Sequence, residues 1–276
     1  MKTISTEMID ILKKDYEKGL NDDIYSICYR RIPNTRKAGI IHQYTQAEIM
    51  QRMQCHFDRL ALVNLLNISL YDFQKAILYN SNYKYFAIHA SRQTGISMLM
   101  RITALYESMI LGKSIHVSLS RNEDRKFFME SVKDLYCKLP FHIQSGIVSM
   151  NSQSVSFENE GRITTSLNST IAIGFQIDTL LLDNPNDNYI NRILDAILPC
   201  ISALKGGKII LAITGPAGYH VNKIIDGAQR FNGDPKKNAF ILQKVGYWEV
   251  PRTENWKDEL VKLIGDEAFD NEYDIH

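Results

Sequence analysis

Eight residues, Ala90-Ser91-Arg92-Gln93-Thr94-Gly95-Ile96-Ser97, separate an apolar run from a segment with helical spacing. A loop of that length in that position is where the pattern G-x-x-x-x-G-K-[ST] holds a phosphate with backbone N–H groups and a helix N-terminus. Gly95 and Ser97 satisfy the pattern, but Ala90 stands at its first glycine and Ile96 at its lysine. Isoleucine offers an anion nothing. A charge-assisted hydrogen bond is worth about 1.5–3 kcal/mol, so anion affinity is expected to fall by about one or two decades. Arg92 is the one cation in the loop, placed to restore part of that charge or to act as an arginine finger in cis. Its competing role is a surface salt bridge. Alone, the segment also reads as a polar strand-to-helix turn capped by Ser91 or Thr94.

Two further loops carry chemistry. Leu180-Leu181-Leu182-Asp183 is an apolar run ending in a carboxylate, the arrangement that holds Mg²⁺ through its water shell. The other role for Asp183 is a helix N-cap or turn. Asn184 follows, where a glutamate would activate water; an amide orients water but accepts no proton. Loss of a general base costs about 10²–10⁴ in rate. Asp187 is the nearby carboxylate able to substitute. Thr214, after an apolar run and before Gly215-Pro216-Ala217-Gly218, is placed to sense a terminal phosphate, or simply closes a strand before a turn. Upstream, Gln74 is suited to reading an adenine edge and Tyr71 to stacking on the base; otherwise the segment opens an amphipathic helix with Phe73 packed inward.

For these loops to meet, several strands must end at one edge. Residues 83–89 predict a short strand, 97–111 a helix, 114–119 a strand and 121–138 a helix. Residues 155–158 and 162–166, around Gly161, suggest a hairpin. Residues 179–183 and 208–214 read as buried strands and 240–248 as a last one. Ile190, Ile193, Leu194, Ile197, Ile201 and Leu204 form a helical stripe. Such alternation predicts an α/β fold, a mostly parallel sheet with helices on both faces, and ligands at the carboxyl ends of the strands. Residues 1–68 read as a separate helical and irregular segment ahead of the domain at 69–276. In it, Met8, Ile9, Leu12 and Tyr16 have helical spacing, 30–37 form a basic turn, and 45–57 predict a helix with a Thr45/Glu48 capping box.

Composition narrows the partners. The 276 residues are 45% hydrophobic and 23% charged, which is ordinary globular composition rather than disorder. A net charge of +1 is far below that of a dedicated nucleic-acid binder, so any DNA contact rests on a local patch or is transient. Cys28, Cys55, Cys137 and Cys200 form no CxxC pair, which points to a reducing compartment rather than a disulfide framework or zinc ribbon. Cys55-His56 lacks the second pair that zinc requires. No signal peptide is expected, and no apolar run approaches the roughly 18 residues of a membrane span.

The order of the motifs is more specific than any one of them. Leu70-Tyr71-Asp72-Phe73-Gln74 is followed by Ser91-Arg92-Gln93-Thr94-Gly95, Leu139-Pro140 with Gly146-Ile147-Val148, and the hairpin at 154–158. Next come Leu180-Leu181-Leu182-Asp183, Thr214-Gly215-Pro216-Ala217-Gly218, Trp248-Glu249-Val250-Pro251 with Trp256, and Phe269-Asp270-Asn271-Glu272-Tyr273. This order resembles the ATPase domain of the large terminases of contractile-tailed phages, from about residue 45 onward.

The resemblance implies a P-loop NTPase-like fold of the RecA/ASCE type. It implies ATP bound by Tyr71, Gln74 and the loop from Ser91 to Ser97, Mg²⁺ served by Ser97 and Asp183, and catalytic roles for Arg92, Asp183, the position of Asn184, and Thr214 in the coupling motif. It further implies packaging of double-stranded DNA in the cytoplasm of an infected host cell, by a ring on a portal protein, with a small terminase subunit as partner. Ile96 and Asn184 depart from the family's lysine and glutamate, so hydrolysis is expected to be very slow or absent. Restoring both together should raise the rate far more than either alone. No nuclease domain is recognised in the chain. A regulatory pseudo-ATPase and a helicase-like ATPase are the competing functions; the latter would carry Asp-Glu after the apolar strand and a second RecA-like domain.

Overall fold

The structure is a computed structural model that describes residues 29–31, 41–167, 177–203, 206–231, 234, 237 and 240–275. A short pair, β1 (Tyr29–Arg31) and β2 (Ile41–Gln43), runs antiparallel. Arg30 and Arg31, expected in a basic turn, are therefore in a strand: ladder hydrogen bonds to β2 override the local turn signal. The stripe from Met8 to Tyr16 lies outside the described residues. Helix α1 (Gln46–Phe57) opens with the expected box, Thr45 N–H donating to Glu48 Oε2 at 2.8 Å and Glu48 N–H to Thr45 Oγ1 at 3.3 Å. Helices α2 (Arg59–Leu65) and α3 (Asp72–Asn80) follow.

The main sheet has eight strands. They are β3 (Tyr85–Ala90), β4 (Ser114–Leu119), β5 (Ile147–Met150), β6 (Ser154–Phe157), β7 (Arg162–Leu167), β8 (Thr179–Asp183), β9 (Lys208–Thr214) and β10 (Ile241–Val245), in the order β10-β3-β9-β8-β4-β7-β6-β5. The pairings from β10 through β7 are parallel; β7–β6 and β6–β5 are antiparallel. The sheet is thus mixed, with its parallel part at the centre. Strand β5 extends the expected hairpin by one strand.

The intervening helices are α4 (Ile96–Leu105), α5 (Asn122–Lys138), α6 (Asp187–Ala203) and α7 (Tyr219–Phe231). Alternate residues of a strand face opposite sides. Leu181 and Ile210 accordingly join the core with Leu99, Ile102, Phe128 and Val132 from α4 and α5. Leu180, Leu182 and Leu211 join the core with Ile190, Ile193, Val221 and Ile225 from α6 and α7. Leu204 and the side chain of Ile197 lie outside the described parts of that stripe.

Helix α4 is shorter than expected because a π-helical turn, Tyr106–Ile110, takes over its end. The last strand stops at Val245 and gives way to a 3₁₀ turn, Tyr247–Glu249. Two further helices, α8 (Trp256–Ile264) and α9 (Asp266–Tyr273), close the described chain. In register, Ala90 of β3 pairs with Thr214 of β9, and Asp183 of β8 with Ala212 of β9. The loops after β3, β8 and β9 therefore open side by side at one edge.

Candidate functional site

The loop after β3 is held from three sides. Gln74 of α3 donates from Nε2 to the Thr94 carbonyl at 3.0 Å, while its Oε1 accepts from Tyr71 N–H at 3.0 Å. One end of this amide holds the loop and the other caps the start of α3. A Cβ on Gly95 would lie 2.7 Å from Gln74 Nε2, and Gly95 has φ +80°; glycine alone meets both conditions without strain. Thr94 turns its hydroxyl back to the Ser91 carbonyl at 2.8 Å. The Tyr71 ring stays exposed, stacked on Phe73 with centroids 5.8 Å apart.

The third support comes from the far end of the chain. Ser91 donates its hydroxyl to the Tyr273 carbonyl and its N–H to the Val245 carbonyl at 2.9 Å. The Arg92 guanidinium pairs with the Glu272 carboxylate. Arg252 donates to Gln93 Oε1 at 3.2 Å and sits over the Trp256 ring, 3.8 Å from its centroid. Gln93 itself takes φ 61°. The expected choice for Arg92, finger or salt bridge, falls in this structure on the salt bridge. Glu272, legible in the sequence only as part of a closing motif, is its partner.

Ile96 does not face the loop opening. Its side chain is 2% exposed and packs in the core with Leu99 and Ile102. Ser97, one residue on, donates its hydroxyl to Asp183 Oδ1 at 3.5 Å. The hydroxyl of the first loop and the carboxylate of the second are thus brought together. Burial pushes the Asp183 carboxyl above its usual range; the Ser97 hydroxyl and the Arg101 guanidinium oppose that, and Asp124 adds to it. Arg101 escaped the sequence reading, although its spacing of four from Ser97 puts it on the same helix face. It lies over the Phe127 ring at 4.8 Å, and burial lowers its pKa.

Asn184 has φ 52°, a left-handed conformation that asparagine adopts at lower cost than glutamate. Its Nδ2 donates to Thr214 Oγ1 at 2.8 Å and its Oδ1 accepts from Thr214 N–H at 3.0 Å. The two residues clasp the ends of β8 and β9. Asp187, expected as a substitute base, accepts from His220 N–H at 2.9 Å and Val221 N–H at 3.0 Å through Oδ1. That carboxylate caps the first turn of α7. Gly218 is required there, since a Cβ would meet Asp187 Cγ at 2.3 Å.

The donors that could hold a metal are the hydroxyl of Ser97 and the carboxylate of Asp183. Hard oxygen ligands in small number suit Mg²⁺, which completes its shell with water and substrate phosphates. A glycine-bearing loop at a helix start, beside a strand-end carboxylate and a strand-end threonine, is the arrangement in which α/β sheets hold phosphates.

No protein-family model matches the chain, and no curated protein does. Solved structures do match. The ATPase domain of the large terminase of Thermus phage P74-26 superposes with a TM-score of 0.59 and 17% identity, over 76% of this chain and 94% of that one. The large terminase of a thermophilic bacteriophage, in complex with ATP-γ-S, gives 0.55 and 10% identity, over 74% and 52%. The large terminase of bacteriophage HK97 gives 0.51 and 15%, over 74% and 44%. This chain therefore spans about half the length of the last two. At such identities the likeness establishes the fold: the P-loop ATPase-like fold of a terminase ATPase domain.

Proposed function

We propose that the chain is a terminase-type nucleotide-binding domain of a viral DNA-packaging machine, impaired in hydrolysis. The observation that carries the reading is the Ser97–Asp183 contact, made between the first and second loops on a fold shared with terminase ATPase domains. ATP is the ligand, with phosphates at the loop from Ser91 to Ser97 and the base near Tyr71 and Gln74. Mg²⁺, bound by Ser97 and Asp183, would neutralise phosphate charge. The partners follow from the motif order: double-stranded DNA, a portal protein, a small terminase subunit and further copies of this chain in a ring, in the cytoplasm of an infected host. The contractile-tail type rests on the same order.

A second reading, a pseudo-ATPase that binds but does not turn over, is favoured by specific contacts. Asn184 is clasped to Thr214, Asp187 caps α7, and Arg92 is paired with Glu272. With Oδ1 of Asp187 turned to the α7 N-terminus, the carboxylate nearest Asp183 in the second loop is committed to holding that helix.

Titration of a fluorescent ATP analogue with and without Mg²⁺ tests binding, and phosphate release with and without DNA tests turnover. Weak, Mg²⁺-dependent binding with very slow release is expected. Absence of binding at millimolar nucleotide would remove the site. Release at an ordinary motor rate would overturn the impairment, and a rate that Asp187→Ala leaves unchanged would overturn the assignment of these loops to catalytic roles.

A further inference from the structure

Behind the candidate site, at the opposite end of the sheet, is a buried charge cluster that the phosphate chemistry does not use. The Glu107 carboxylate, fully buried in the π-helical turn after α4, accepts from Arg59 Nη2 at 3.0 Å and from Lys208 Nζ through Oε1. Its Oε2 accepts from Thr179 Oγ1 at 2.7 Å. Lys208 also donates to the Ser81 carbonyl at 2.8 Å, and Arg59 to the Leu78 carbonyl at 2.9 Å. Thr179 and Lys208 are paired first residues of β8 and β9.

The same helix and strand also meet at their other ends, where Ser97 reaches Asp183. Ten residues of helix separate Ser97 from Glu107, about 15 Å at the α-helical rise. Four steps of strand separate Asp183 from Thr179, about 13 Å. The lengths match, so α4 and β8 are pinned side by side at both ends. The first pin is a long, part-buried contact between small groups. The second is a buried carboxylate with partners on three other segments, and such groups hold one geometry because leaving them unpaired is costly.

We propose that Glu107 and Thr179 are positioning residues that set the register of α4 on β8 and thereby hold Ser97 against Asp183. This rests on the reading of Ser97 and Asp183 as the Mg²⁺ donors.

The test is titration of a fluorescent ATP analogue, with and without Mg²⁺, on the full chain. The proteins compared are wild type, Thr179→Val, Thr179→Ser, Ser97→Ala and the double variant Ser97→Ala/Thr179→Val. Valine keeps the outline of threonine and leaves both ion pairs of Glu107 in place, so one hydrogen bond is removed. Thr179→Val is expected to lower the Mg²⁺-dependent gain in affinity about fivefold, the scale of one lost hydrogen bond. Thr179→Ser should restore it, and Mg²⁺-free binding should not change. The two sites are more than about 10 Å apart, where independent substitutions add; a double variant no worse than Ser97→Ala alone marks Thr179 as acting through Ser97. An unchanged Thr179→Val, or strict additivity, overturns the positioning role while leaving the site intact. A wild-type protein with no Mg²⁺-dependent binding removes the site itself, and the proposal with it.

Discussion

At the scale of single residues, the two departures from the phosphate-binding pattern have structural settings that decide what restoring the pattern should cost. Ile96 belongs to the core, so Ile96→Lys places an ammonium among apolar side chains before it can serve a phosphate. A buried, unpaired charge is costly. We expect Ile96→Lys to lower stability by about 2–3 kcal/mol in urea unfolding without nucleotide. Unchanged stability would mean that the side chain escapes to the loop. Asn184→Glu forces glutamate into the left-handed region and removes the amide donor to Thr214. It should cost about 1–2 kcal/mol and leave phosphate release unrestored. On these grounds we expect the double restoration to lower stability without raising the rate, and a double variant faster than wild type would refute this. Only the positions were legible in the sequence. That Ile96 turns inward, and that Asn184 meets Thr214 thirty residues away, depends on the packed sheet.

At the scale of elements, the sheet was legible because its central strands are apolar on both faces and end in polar loops; residues 179–183 and 208–214 are in the strands expected of them. Strand β5, with Val148 and Ser149 exposed, lacked that contrast. Helices α8 and α9 were missed because a short amphipathic helix resembles a polar loop in its composition. The β4–β7 pairing carries a pH prediction. His116 of β4 is buried, with its ring nitrogens 2.8 Å from Thr164 Oγ1 and 2.9 Å from Ser166 Oγ of β7. Burial pushes its pKa down to about 4 from 6.5. The folded ring is neutral where the unfolded one takes a proton, so stability is present above pH 6.5 and is lost as pH falls toward 4. The slope is at most about 1.4 kcal/mol per pH unit for one proton. Urea midpoints measured from pH 7 to 4.5 should fall more steeply for wild type than for His116→Gln; parallel curves would show that His116 does not carry the loss.

At the scale of the whole molecule, the chain closes on itself at the loop after β3. Phe269 of α9 is fully buried among Tyr247, Trp256 and Tyr273, with ring centroids 5.2–6.0 Å away. That aromatic group carries the Glu272 and Tyr273 carbonyls to Arg92 N–H and the Ser91 hydroxyl. None of these contacts follows from local pattern, since about 180 residues separate the partners. Their energetic consequence is separable from general stability. Phe269→Ala should cost about 3–5 kcal/mol and Ile225→Ala, in the core between the sheet and α6–α7, about 2–5 kcal/mol. Both cavities weaken global unfolding, but only the first removes the packing behind the loop. Amide hydrogen exchange reports local opening as well as global unfolding. After subtraction of the global change, Ser91 and Arg92 should lose protection in Phe269→Ala and keep it in Ile225→Ala. Equal loss in both variants would mean that the loop is held by β3 and α4 alone, and that the closing motif serves the core and not the site.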